Sequence, residues 1–303
     1  MAAAVLMATP VEVADEGVRE SVACSSTRKL TRRQEAAWAW YASIGSPRLF
    51  VAPLVGYSEP AFRVLCRRYG AECCSTPMID AAGYVAAERY RNEFAFSGGS
   101  EDRPLTVQFG GSDPGTLGAA AALAAPFCDA VELNMGCPQR CAKKSGSGAF
   151  LMEDPGRATR CVMAMRKALD AYNARRADGA VKVACVVKIR CFEDMPKTLE
   201  LARTLEAAGA ELLTVHGRTR HAGGGRRTAA QLANWAWIKA VKEAIRIPCV
   251  SNGNIRHSED VDACFAATTR VDLHSSTTLD FEREFERRSG RWGVSDPREL
   301  DER

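Results

Sequence analysis

Cys137 stands between Gly136 and Pro138, just after Asn134-Met135, in a stretch that reads as a loop rather than an apolar run. A free thiol ionises near pH ~8.5, so close to neutrality it is mostly protonated and can give a proton to a reacting carbon as a general acid. Lys188-Ile189-Arg190 closes another run that is otherwise apolar. A lone lysine in such a place is usually ion-paired or snorkelling, whereas Lys-Ile-Arg inside an apolar strand is less easily dismissed. His216-Gly217-Arg218 and Asn252-Gly253-Asn254 end two further runs, and Gln108 lies near the end of a third. Taken singly, His216 reads as a structural histidine and Asn252-Gly253-Asn254 as a turn, because Asn-Gly tolerates positive φ. Their recurrence at the ends of successive runs needs a common explanation.

Such groups meet only if the runs that carry them are parallel strands ending on one side. From Leu49 the chain alternates short apolar runs with segments of helical period, the pattern of βα units and a parallel sheet. Strands are predicted over Leu49 to Val55, Glu72 to Met78, Leu105 to Gly110, Ala130 to Cys137, Val181 to Arg190, Glu211 to Gly217 and Ile247 to Asn252. Helices fall between them, over Glu59 to Tyr69, Pro114 to Ala125, Pro155 to Ala171, Met195 to Ala208, Ala229 to Ile245 and Glu259 to Ala267. No glycine fingerprint follows the first strand, which favours an α/β TIM (β/α)8 barrel over an open doubly wound sheet. In a barrel the chemistry gathers at the C-terminal strand ends, here Ala52 to Val55, Gln108, Asn134 to Pro138, Lys188 to Arg190, His216 to Arg218 and Asn252 to Asn254.

An eighth strand ought to follow Ala267, and only a weak one can be drawn around Val271 to His274 before the charged run Asp280 to Arg303. The expected organisation is therefore an N-terminal leader, 1–46 and partly disordered, a barrel over 47–270, and a divergent charged tail over 271–303. The eighth strand and any C-terminal helical domain are expected to be missing or altered, which would leave strands one and seven with open edges. Within the leader, Trp38, Trp40 and Tyr41 mark a short helix behind a basic patch at Lys29, Arg32 and Arg33.

The composition bounds the rest. The chain has 303 residues, 46% of them hydrophobic, and 41 Lys and Arg against 37 Asp and Glu for a formal charge of +4. Wholesale disorder is excluded, and no window is long and apolar enough for a membrane span. Neither a secretory signal nor a metal is expected: Met1 to Pro10 lacks a basic leader, and Cys137, Cys141 and the Cys73-Cys74 pair have no second CxxC or paired histidines to complete a ligand set. Twelve cysteines without a need for staples point to free thiols in a reducing compartment, the cytoplasm with the nucleus as an alternative. A charge of +4 is too small to imply nucleic acid by itself, so position decides. Arg140, Lys143 and Lys144 follow strand four, and Arg218, Arg220, Arg226 and Arg227 follow strand six, which is either one basic rim or a solvated face.

The segment Leu133 to Met152 closely resembles the tRNA-dihydrouridine synthases, together with Ala52 to Val55, Val107-Gln108, Val187 to Arg190, Thr214 to Thr219 and Ser251 to Ile255. With Ser75 to Met78 and Trp235 to Val241 included, the pattern is most similar to the eukaryotic type that acts at positions 16 and 17 of the tRNA D-loop. The resemblance implies bound FMN, with backbone at Pro53, Leu54 and Val55 under the ring, Gln108 and Lys188 on its polar edge, and His216 with Asn252, Gly253 and Asn254 toward the phosphate. That assignment is physically apt, because a cation near N1 and O2 stabilises reduced flavin and backbone N–H groups of a glycine-containing loop suit a phosphate. It implies further that NADPH reduces FMN, that flavin N5 delivers hydride to uridine C6, and that Cys137 protonates C5. The base would be splayed out of the tRNA elbow into room opened by the Gly146-Ser147-Gly148 loop, with Arg140, Lys143, Lys144, Arg218 and Arg220 gripping phosphates. A monomer is expected. Two rivals remain: another FMN barrel such as a dihydroorotate dehydrogenase, and an inactive RNA-binding remnant. Gly136-Cys137-Pro138 with the basic rim is the feature that discriminates.

Overall fold

In the computed structural model, residues 29–94, 99–177, 179–222, 232–268 and 273–276 are described. The apolar runs become the strands β1 (Leu49–Val51), β2 (Cys73–Ser75), β3 (Leu105–Gly110), β4 (Ala130–Met135), β5 (Ala184–Cys191), β6 (Leu212–Thr219), β7 (Cys249–Asn252) and β8 (Leu273–Ser276). Every residue of β3 and β4 is buried, as strands covered on both faces require. Around them lie α1 (Arg32–Ser43), α2 (Pro60–Arg68), α3 (Pro114–Ala124), α4 (Pro155–Asn173), α5 (Met195–Ala208), α6 (Trp235–Ala244) and α7 (Ser258–Thr268). Asp113, Asp154 and Asn234 cap α3, α4 and α6 by accepting backbone N–H bonds, and prolines open α3 and α4, so the chain's own turn chemistry sets where these helices begin.

All neighbouring strands run parallel, and they close into a ring. β1 pairs with β2, β2 with β3, and so on to β7 with β8, while β8 returns to β1 through Leu49↔His274, Phe50↔Ser275 and Val51↔Ser276. A two-residue strand, Ile79–Asp80, adds to the far end of β3. The barrel reading holds, and the one expectation corrected is that of open edges. The eighth strand is altered rather than missing: its four residues lie beyond residue 270, where the tail was expected to begin, and they pair on both sides. The edges expected to lie open on β1 and β7 are therefore closed, because a parallel ladder needs backbone groups and not a strongly apolar sequence. The charged run Asp280 to Arg303 lies outside the described residues.

Side chains alternate in and out along each strand, so positions of one parity line the interior. Near the strand starts the inward positions are apolar: Ala130, Ala184, Val186, Leu212 and Val250 form one cluster with Trp40 and Tyr41 of α1. Trp40 is 3% exposed and donates its ring N–H to Asp129 O at 3.2 Å. The helix inside the expected leader thus plugs the N-terminal end of the barrel, where truncating a buried Trp costs about 3 to 5 kcal/mol. Toward the strand ends the same parity turns polar, at Glu132, Asn134, Lys188, Arg190, Thr214, His216 and Asn252. One end of the barrel is a core and the other is a site. No helix of the described residues is long and apolar enough to cross a membrane.

Candidate functional site

Strand register makes the polar end a layered lattice. Asn134 lies beside Lys188, Arg190 beside His216, and His216 beside Asn252. Asn134 Oδ1 accepts the backbone N–H groups of Gly136 at 3.1 Å and Cys137 at 2.9 Å, an Asx-type turn that stops β4 and sets the cysteine just past it. Arg190 holds the same turn from the next strand, donating Nε to Gly136 O at 2.7 Å and a terminal nitrogen to Thr219 O at 3.0 Å. The Gly146 to Gly148 loop is the third support. Ala149 N–H donates to Cys137 O at 2.9 Å, and a Cβ at Gly148, whose φ is +57°, would sit 2.5 Å from that carbonyl. This loop therefore packs against Cys137 and fixes it, in addition to any room it leaves beside it.

Cys137 is half-buried, and Cys141 is exposed. Nine further cysteines of the described residues are buried, whereas Cys141 faces outward from the short helix Arg140–Ser145. Burial pushes the Cys74, Cys161 and Cys264 thiols up to about 11 and the Cys66 and Cys191 thiols up to about 12, so these are inert. Among the described residues no three His, Cys, Asp or Glu side chains gather as metal ligands.

A second chain of bonds crosses the mouth. Asn134 Nδ2 donates to Gln108 Oε1 at 2.9 Å, and Gln108 Nε2 donates to the Glu132 carboxylate. Lys188 Nζ donates to Asn252 Oδ1 at 2.9 Å. Burial lowers Lys188 to about 8, with Glu132 opposing the fall and Arg190 adding to it. Burial, then Lys188, Arg190 and Arg218, push His216 far below the usual histidine range, so its ring is neutral. A terminal nitrogen of Arg218 lies 2.9 Å from His216 Nε2, and since an arginine only donates, the ring proton sits on Nδ1. Cations crowded this closely raise a strongly positive potential at the mouth, which suits an electron-rich or anionic group.

The loop after β7 supplies the rest. Gly253 (φ +110°) and Asn254 (φ +64°) are successive residues of positive φ, and a Cβ at Gly253 would lie 2.8 Å from Ala233 Cβ and 3.0 Å from the His216 ring. Only glycine lets this loop pass so close to His216. Arg218 donates to Asn254 Oδ1, and Arg256 lies near enough to depress Arg218 further. Positive-φ backbone beside two guanidinium groups is a fitting cradle for a phosphate, while Lys188 and Gln108 offer donors to the polar edge of a ring. The residues present therefore fit a flavin mononucleotide.

Several expected residues land elsewhere. Of Pro53, Leu54 and Val55, Pro53 lines the same interior space as Lys188, Glu132 and Thr214. Leu54 N–H is already taken by Ser58 Oγ at 2.9 Å, and Val55 is 65% exposed. That turn is anchored by Arg63, which is 1% exposed, pairs with Asp102 and donates to Ser58 O at 2.8 Å. Arg140, Lys143 and Lys144 are exposed on the helix following Cys137, as a rim requires. Arg218 turns inward instead, and Arg220 is tied to Glu153 at 3.0 Å over the Phe150 ring. Arg226 and Arg227 lie outside the described residues. Glu132, Arg190 as a loop clamp and the Arg63–Asp102 pair were missed. A signal existed for Glu132: a carboxylate two residues before Asn134 in an apolar strand must face inward with it and needs a partner.

The family model described as Dihydrouridine synthase (Dus) matches residues 50–274. A rat protein named tRNA-dihydrouridine(16/17) synthase [NAD(P)(+)]-like is 43% identical over 230 residues, 76% of this chain and 49% of its own. A Saccharomyces cerevisiae tRNA-dihydrouridine(16/17) synthase [NAD(P)(+)] is 42% identical over 241 residues, 78% of this chain and 52% of its own. The chain thus spans about half the length of these curated relatives. Among solved structures, DHODH from Eimeria tenella superposes with a TM-score of 0.54 at 13% identity, over 84% of this chain and 85% of that one, a likeness of fold alone.

Proposed function

Since the chain belongs to the dihydrouridine synthase family, we propose that it reduces the C5=C6 bond of uridine in the tRNA D-loop, at positions 16 and 17, with FMN as cofactor and NADPH as reductant. The observation that carries this reading is Cys137, half-buried at the barrel mouth and clamped by Asn134, Arg190 and the Gly148 loop. A flavin held there would supply the hydride that goes to C6 of the base. Cys137 supplies the other half, giving its thiol proton to C5, and its clamped backbone fixes where that side chain leaves the strand end. Asn134 and Arg190 fix that loop rather than exchange protons. Lys188 and Gln108 would hold the polar edge of the ring, where their donors would stabilise the negative charge of reduced flavin. Neutral His216, Arg218 and the backbone of Asn252, Gly253 and Asn254 hold the phosphate. Arg140, Lys143 and Lys144 meet the tRNA backbone as it delivers the base.

The test uses purified protein, FMN, NADPH and tRNA lacking dihydrouridine. Yellow protein that forms dihydrouridine at positions 16 and 17 is expected, and Cys137→Ala should stay yellow while losing about 10²-fold or more of the rate. Turnover of an orotate-like substrate by Cys137→Ala would instead favour a dihydroorotate dehydrogenase, and tRNA binding by protein that stays colourless would favour a remnant.

A further inference from the structure

Glu132 delivers no proton and binds no phosphate in the reaction above, yet it is a carboxylate with 3% exposure inside the barrel. Burying a carboxylate is unfavourable unless specific partners hold it. Here the partners are also the residues that face the ring. Burial pushes the Glu132 carboxyl up, and Lys188 in the same interior space, the Gln108 Nε2 donor and the Thr214 side chain all act to bring it back toward the carboxylate. An amide can donate to a carboxylate only through its nitrogen, and Gln108 Oε1 is already occupied by Asn134 Nδ2 at 2.9 Å. Gln108 is therefore locked in one orientation, with its remaining N–H as what it can offer to a ligand. The ammonium of Lys188 is likewise a donor. An edge composed of donors matches the N1 and O2 side of a flavin, which becomes more negative on reduction.

The geometry points to Glu132 as a positioning residue that sets the donor polarity of the ring-facing edge, by orienting the Gln108 amide and keeping Lys188 charged. This inference rests on the flavin reading above. Several groups face Lys188: Glu132 from β4, Arg190 on its own strand, neutral His216 and Thr214 from β6, and Asn252 from β7, which accepts its bond. Of these, Glu132 favours the charged amine, whereas Arg190 and burial disfavour it. Without the carboxylate the two opposing effects act unbalanced, and the amine gives up its proton at lower pH.

The experiment titrates the visible spectrum of the oxidised FMN complex from about pH 6 to about pH 9.5. Loss of the adjacent positive charge perturbs the ring, so wild-type protein should show an inflection within this range that Lys188→Met abolishes. In Glu132→Gln the midpoint should fall by about one unit or more, with Glu132→Asp restoring part of the shift. Thr214→Val, which removes one donor to the carboxylate, should move it the same way by less, and it serves as the readout if Glu132→Gln does not fold. A midpoint that stays put in a yellow Glu132→Gln or Thr214→Val protein overturns the inference and leaves the flavin reading standing, as does an inflection that survives Lys188→Met. Wild-type protein that takes up no flavin overturns both.

Discussion

His216 shows how the site acts on single groups. Its folded ionisation lies well below the unfolded value of about 6.5, because burial and three cations oppose a fourth positive charge. Below that pH the unfolded chain binds a proton that the native chain refuses, so stability must fall as pH drops through about 6.5, by up to about 1.4 kcal/mol per unit. Above it, His216 is neutral in both states and contributes no pH dependence. Urea unfolding between about pH 5 and about pH 7.5 should show this slope, and His216→Asn should flatten it; equal slopes in the two proteins would remove the proposed source. The residue types in Cys137, Lys188, His216 and Asn252 were readable beforehand because each is chemically distinctive at a strand end. Glu132 was legible only as an inward carboxylate in need of a partner, since which partners it meets depends on Gln108 and Lys188, which lie on two other strands.

Segments, rather than single groups, decide where Cys137 stands. The Gly146 to Gly148 loop crosses beneath its carbonyl so closely that any Cβ at Gly148 must displace something. Gly148→Ala is therefore expected to cut the rate of dihydrouridine formation by about tenfold or more by moving the cysteine, since misplacement of a reacting group by about 1 Å costs that much or more. FMN affinity should remain, because Lys188 and the Asn252 to Asn254 loop are elsewhere; a mutant with full rate would show that the loop is not a support. Boundaries of the long elements were legible, β3 and α5 to the residue, because strong periodicity and capping residues agreed there. The helices Ala81–Ala86, Glu88–Glu93 and Arg140–Ser145 were not, each having only six residues and too few turns to display a period. β1 and β2 are shorter than predicted because Pro53 and Pro77 follow so soon, and proline cannot continue a ladder.

Closure of the barrel is a property of the entire chain. β8 satisfies the edges of β1 and β7, so a chain ended at Thr268 should melt several degrees lower, aggregate more readily and lose FMN, as circular dichroism and gel filtration would report. Equal stability would mean that the ring does not depend on β8. Surface charge acts globally too. Replacing Arg140, Lys143 and Lys144 by alanine should weaken tRNA binding across sequences and reduce the slope of log affinity against log salt by about 2 to 3, without altering the flavin spectrum. An unchanged salt slope would return those residues to the role of a solvated face.

The order of apolar runs and helical segments, the barrel, the kinship and the residue types at the strand ends are all determined by the amino-acid sequence, because each is expressed in local patterns a few residues long. Tertiary structure alone decided that a weak four-residue segment completes the ring, that Arg218 turns inward while Arg140, Lys143 and Lys144 stay out, and that Glu132 is bonded to Gln108 inside the barrel. The physical reason is that hydrogen-bond partners and burial are set between strands distant in sequence, where register rather than composition determines which side chains meet.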